Sequence, residues 1–159
     1  MFRTASPTET TALVALAEST GIFAPGEAEA LLGGVLEELH VGRLGIGHQA
    51  HVWASTDTSP AKGWVYFAPT EHADGVWNLW WIGVAADSQH QGIGDGLLKF
   101  VEEKVQSAGG RLLLIETSSL AAFDSVRQFY IKRGYMECGR VPDFYAVGEA
   151  KVIYCKSIR

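Results

Sequence analysis

The sequence predicts a mixed α/β domain, with a central, mostly antiparallel sheet flanked by about four helices. Three observations predict it. Amphipathic helical patterns open the chain, and runs rich in Trp, Val and Ile occupy its middle. One of those runs is followed by a Gly-rich helix start and then a short apolar strand. That last arrangement is a strand–helix–strand crossover, which is right-handed and makes its two strands parallel neighbours. The length agrees: 159 residues suit a single domain over 1–159 that buries a core without disulfides or metals.

The predicted order is β, α, α, β, β, β, α, β, α, β, β. Ser6, Pro7 and Glu9 form a capping box with a proline start. Leu13, Leu16 and Ala17 then repeat at helical spacing. A second helix runs from Pro25 to His40, with Leu31, Leu32, Val35, Leu36 and Leu39 on one face. Gly33 and Gly34 each weaken it by about 1 kcal/mol relative to Ala, which predicts a kink or break there. Strands follow over His48–Ser55, Lys62–Pro69 and Val76–Val84, the last two joined through the turn signal Asp74-Gly75. A helix over Gly92–Ser107 carries Leu97, Leu98, Val101 and Val105 on one face and stops at Ala108-Gly109-Gly110. The unbroken apolar run Leu112–Ile115 reads as a strand covered on both faces. A fourth helix over Ser125–Arg133 ends at Gly134, and strands near Tyr135–Val141 and Ala150–Ile158 close the chain.

Composition narrows the function classes. With 47% hydrophobic and 19% charged residues the chain is globular, and a net charge of −5 argues against a nucleic-acid or anionic-membrane partner. Cys138 and Cys155 have neither CxxC spacing nor nearby histidines, so two reduced thiols and no metal are expected. The N-terminus has no apolar signal region and no run spans a bilayer, so a cytoplasmic location is expected.

The segment that carries chemistry is Gln89-His90-Gln91-Gly92-Ile93-Gly94-Asp95-Gly96. It leaves a strand and opens a helix. Alternating glycines let successive N–H groups face one anion, and the helix N-terminus adds positive potential. A phosphate or pyrophosphate is the natural ligand; a Gly-rich turn with no ligand is the alternative. No GK[ST] follows, and GxGxG spacing is not the dinucleotide fingerprint.

Gln89-His90-Gln91-Gly92-Ile93-Gly94 resembles the Q/R-x-x-G-x-G/A acyl-CoA motif of the GCN5-related N-acetyltransferase (GNAT) superfamily. Trp80–Val84 is similar to the strand before that loop, and Phe129–Tyr135 to the FY-x-x-x-GF/Y motif on a later helix. Pro142–Tyr145 and Lys151–Tyr154 are similar to the closing hairpin of many bacterial members. The resemblance implies a sheet whose parallel pair splays to admit pantetheine, with Ile82, Gly83 and Val84 offering main-chain contacts. It implies that Gln89, His90, Gln91, Gly92, Ile93, Gly94, Asp95 and Gly96 hold the pyrophosphate of acetyl-CoA. Asp95 departs from the pattern, since a carboxylate there is unfavourable unless it turns to solvent.

The implied reaction is direct transfer of acetyl to a primary amine, on a small molecule or a protein. Tyr130 matches the family's tyrosine that donates to the CoA sulfur; a phenol of pKa near ~10 stays protonated at neutral pH. Packing is its other reading, with Val126 one helical turn away. Asn78 stands where many members place an acidic base and cannot accept a proton. Glu116 is the first candidate base, with pairing to a surface cation as its alternative; Asp143 and His72 are weaker. His90 reads as an exposed loop residue, and His48 and His51 as strand residues. Trp64, Trp77, Trp80 and Trp81 line an acceptor pocket, or most of them fill the core or the sheet's outer face. Glu27, Glu29, Glu37 and Glu38 attract a cationic amine or form a solvated helix face. A non-catalytic acyl-CoA-binding module is the second hypothesis, and a binder of another nucleotide the third. Homodimers are common in the superfamily, though no residue here establishes one.

Overall fold

The computed structural model describes residues Met1–Arg159. It contains strands β1 (Phe2–Thr4), β2 (Gln49–Ala54), β3 (Ala61–Pro69), β4 (Val76–Val84), β5 (Leu112–Ser118), β6 (Met136–Ala146) and β7 (Glu149–Ser157). Its helices are α1 (Thr10–Ser19), α2 (Gly34–His40), α3 (Ile93–Ser107) and α4 (Asp124–Ile131). The strands hydrogen-bond in the order β1-β2-β3-β4-β5-β7-β6. Only β4 and β5 are parallel, and their register runs from Val76↔Leu112 to Leu79↔Ile115. Beyond that last pair β4 continues to Val84 and β5 to Ser118.

The chain packs as two compact units, Met1–Ala68 with Trp81–Val101 and Pro69–Trp80 with Glu102–Arg159. The first holds the antiparallel ladder β1-β2-β3, with Phe2↔Trp53 and Val52↔Trp64 in register. Ser6 caps a 3₁₀ turn that leads into α1: its side chain accepts from Thr8 N–H while Glu9 accepts from Ser6 N–H at 2.9 Å. Leu13, Val14, Leu16 and Ala17 then bury against Leu36, Val52, Trp64, Tyr66 and Trp81. Fully burying a Leu or Val side chain contributes about 1.5–3 kcal/mol.

The second predicted helix is modified. A π-helical turn spans Glu29–Gly33 and continues directly into α2, with Gly33 and Gly34 both in ordinary helical conformation. The helix is widened there, not broken. A π turn takes more residues per turn, so positions within it rotate off the stripe that a 3.6-residue period defines. Leu31 is therefore 55% exposed, while Leu36 is fully buried.

The second unit holds β5, β7 and β6 with the N-terminal half of β4. β5 pairs antiparallel with β7 from Leu112↔Ser157 to Ser118↔Lys151. It is longer than predicted and is buried on one face: Leu113, Ile115 and Thr117 are buried, while Leu112, Leu114 and Glu116 are half-buried. The apolar run hid this alternation, because the polar residues that reveal it come only at Glu116–Ser118. β6 is an exposed edge strand, longer than predicted, with register irregularities at Glu137/Gly139 and Val141/Ala146.

Candidate active site

In the first unit, β4 ends on a surface prepared for close approach. Gly83 is required by its neighbour, because a Cβ there would meet the Trp81 ring at 2.2 Å. After Val84 a 3₁₀ turn over Ala86–Ser88 reverses the chain, closed by Ser88 N–H donating to Ala85 O at 2.9 Å. Gln89, His90, Gln91 and Gly92 follow, all four exposed. His90 has φ 63 and Gly92 φ 81, so two left-handed residues alternate along the turn. Such alternation points successive amides toward one concavity. Gln89 reaches back, its side-chain amide donating to Val84 O at 3.3 Å.

α3 begins at Ile93, and its first intrahelical bond runs from Gly96 N–H to Gly92 O at 3.0 Å. Gly96 is thereby committed within the helix, so the amides the turn presents end at Asp95. The Asp95 carboxylate lies 3.3 Å from Lys99 on the next turn, and its side chain is 37% exposed. The unfavourable charge is thus directed outward and partly neutralised.

In the second unit, Tyr130 sits near the end of α4 and is 4% exposed. Its ring contacts those of Phe129, Tyr135 and Tyr154, with centroids 5.5–6.1 Å away. Burial pushes its hydroxyl well above the ordinary phenol range. Tyr135 beside it is held above that range by burial and by donating to Glu102 at 2.8 Å. Lys156 also reaches Glu102, at 3.0 Å, so that carboxylate is doubly satisfied.

Glu116 is found in an ion pair with Lys151 at 3.0 Å. The register fixes which face it occupies. Tyr154 lies opposite Ile115, while Glu116 lies opposite Ile153. Neighbouring residues on a strand point to opposite faces. Since Tyr130 packs on Tyr154, Tyr130 and Glu116 lie on opposite faces of the β5–β7 ladder. The remaining candidate bases are engaged or mark turns. Asn78 is buried and accepts from the Thr70 hydroxyl. Asp143, at φ 54, accepts from Gly148 N–H at 2.8 Å in the β6–β7 connection. His72 has φ 61 in the turn before β4. His48 hydrogen-bonds Tyr66, whose hydroxyl burial pushes up to about 12.

Two features were not foreseen from sequence. Trp81 is buried, and its indole N–H has no partner, whereas that of Trp64 donates to Leu13 O at 3.1 Å. Lys151 places its ammonium 3.7 Å over the Phe144 ring as well as against Glu116. The two-residue alternation of β7 puts Lys151 on the face of Ile153, but meeting Glu116 depends on a register that the sequence does not display. No group of three or more His, Cys, Asp or Glu side chains stands together as a metal site. Both cysteines are free thiols.

The fold and the turn together define a class, that of GNAT acetyltransferases. A model of the acetyltransferase (GNAT) domain matches residues 48–137. A GNAT-family protein from Desulfovibrio desulfuricans is 31% identical, with a TM-score of 0.92 and 100% of this chain and 99% of that chain covered. The chain belongs to the GNAT acetyltransferase family. An aminoglycoside 6'-N-acetyltransferase solved with coenzyme A is 19% identical, at TM-score 0.76 over 100% of this chain and 97% of that chain. The ribosomal-protein-S18-alanine N-acetyltransferase of Escherichia coli is 16% identical, at TM-score 0.76 over 99% of this chain and 93% of that chain. At these identities both show likeness of fold. No curated protein sequence matches the chain. No helix is long and apolar enough to cross a membrane.

Proposed function

We propose that the protein is an acetyl-CoA-dependent N-acetyltransferase, moving acetyl directly to a primary amine in a ternary complex. The observation that carries this reading is the turn Gln89–Gly92, whose left-handed residues alternate at the start of a 15-residue helix after β4. Amides from Gln89 to Asp95 would bind the pyrophosphate of coenzyme A. Ile82, Gly83 and Val84 would offer main-chain groups to the pantetheine.

In the transfer, the amine nitrogen attacks the thioester carbon, the C–S bond breaks and the sulfur leaves as thiolate. The oxyanion would be met by the backbone N–H of Val84 or a neighbour. Tyr130 would donate to the thiolate. Its raised pKa keeps the proton in place, and the dry surroundings that raise it would raise a neighbouring thiol too, preserving the match. The amine's own proton goes to a base on the acceptor side. Glu116 fills that role if the Lys151 pair opens.

The test is calorimetric titration with coenzyme A, followed by thiol release from acetyl-CoA over an amine panel. Tyr130→Phe is expected to lower kcat by ~10²-fold with coenzyme A affinity unchanged. An unchanged kcat removes Tyr130 from the mechanism, and absence of coenzyme A binding by folded protein ends the reading. A second reading, a non-catalytic acyl-CoA-binding module, is favoured by Asn78 holding Thr70 where a carboxylate base would stand. It predicts coenzyme A binding without thiol release for any amine.

A further inference from the structure

The Glu116–Lys151–Phe144 arrangement has the chemistry of a seat for a primary ammonium. Three observations within the second unit describe it. The Lys151 ammonium is 3.0 Å from the Glu116 carboxylate and 3.7 Å over the Phe144 ring, so one cation meets an anion and a π face together. The Lys151 and Glu116 side chains are only 18% and 20% exposed. Phe144, on β6, is 50% exposed, as is much of Tyr145, whose ring meets it edge-on at 5.0 Å. The seat is therefore walled by the sheet on the inside and open to solvent through its aromatic rim. It also lies on the face of the β5–β7 ladder opposite Tyr130, as the register shows.

That geometry suits an acceptor amine, because a carboxylate and a π face that together hold the Lys151 ammonium would meet another primary alkylammonium in the same way. We infer that Glu116 and Phe144 form the seat for the acceptor's primary ammonium, and that Lys151 is its resting internal occupant, displaced when the acceptor binds. The inference rests on the acetyltransferase reading for the identity of the ligand as an acceptor, and it narrows that ligand to an unbranched alkylammonium like the lysine side chain. Glu149 offers Lys151 an alternative carboxylate. It lies two residues along the same face of β7, where it accepts from Ser118 at 2.6 Å. The seat also suits Glu116 to act as the base, because the proton it would accept belongs to the ammonium it holds.

An internal occupant lowers apparent affinity by the fraction of time the seat is open. The test therefore uses n-butylamine hydrochloride as the probe and n-butanol as its uncharged control. In the wild-type protein the Lys151 ε-methylene resonance, assigned by its loss in Lys151→Ala, is expected upfield under the Phe144 ring. The amine is expected to return it to the free-lysine position, and the alcohol to leave it in place. In Lys151→Ala the amine is expected to bind about tenfold more tightly, and in Glu116→Gln not to compete at all. A ring-shifted resonance that saturating amine leaves unmoved overturns the proposal. So does Lys151→Ala with wild-type affinity for the amine. Neither readout needs turnover. Displacement without coenzyme A binding sinks the acetyltransferase reading and keeps the seat; coenzyme A binding without displacement does the reverse.

Discussion

Trp64 and Trp81 stand 5.7 Å apart in the same core and differ in one bond. The Trp64 N–H is satisfied by Leu13 O, and the Trp81 N–H is buried without a partner. A buried donor left unpaired carries a desolvation cost that a paired one recovers. Trp64→Phe and Trp81→Phe remove the same volume, so their difference isolates the hydrogen bond. Trp64→Phe is expected to cost about 1–2 kcal/mol more than Trp81→Phe in denaturant unfolding; equal losses would show that Trp81 finds a partner in solution. The sequence led to the expectation that most of Trp64, Trp77, Trp80 and Trp81 fill the core or the sheet's outer face; Trp64, Trp77 and Trp81 are buried, and Trp80 is 54% exposed. Which indole is satisfied was not legible, because Leu13 is fifty-one residues from Trp64.

At the scale of elements, several ends of the chain's regular pieces were well marked. The capping box at Ser6–Glu9, the strand Val76–Val84 and the stop after Ser107 all coincide with chemistry that the residues carry locally. The π turn is the instructive exception. A helical repeat put Leu31 and Leu36 on one stripe, and the widened turn separates them. Leu31→Gln is expected to change stability by less than about 0.5 kcal/mol, whereas Leu36→Ala should cost about 2–5 kcal/mol. Thermal or denaturant unfolding checks both; a large loss at Leu31 would mean that the stripe is regular after all. The same reasoning applies to β5, where the register with β7, not the apolar run, decides which side chains face Tyr130.

At the scale of the molecule, proton linkage reports how the N-terminal strand is tied to the first helix. Arg3 donates to Glu9 at 2.7 Å and to Ser59 O at 3.2 Å. The Arg3 hydrogen bond holds the Glu9 carboxyl below its ordinary range despite partial burial, with help from Ser6 N–H. A carboxyl whose folded pKa is depressed contributes stability that is present above its unfolded value, about 4.3. That contribution is lost as pH falls through the folded value. The melting temperature is expected to drop on acidification below about pH 5, and Glu9→Gln to flatten that limb while lowering stability at neutral pH. Parallel curves for the two proteins from neutral to acid pH would show that Glu9 titrates alike in both states.

Fold class, family and the Gly-rich turn after β4 were set by sequence because each rests on neighbours in the chain. Left-handed positions, caps and a two- or three-residue period are local properties, readable wherever they occur. Tertiary structure alone decided the rest: the ion pair that occupies Glu116, the opposite faces of Tyr130 and Glu116, and the burial that lifts the Tyr130 hydroxyl. Each of these depends on strand register and on which surfaces exclude water. Those are relations between residues far apart in the chain, and no local pattern encodes them.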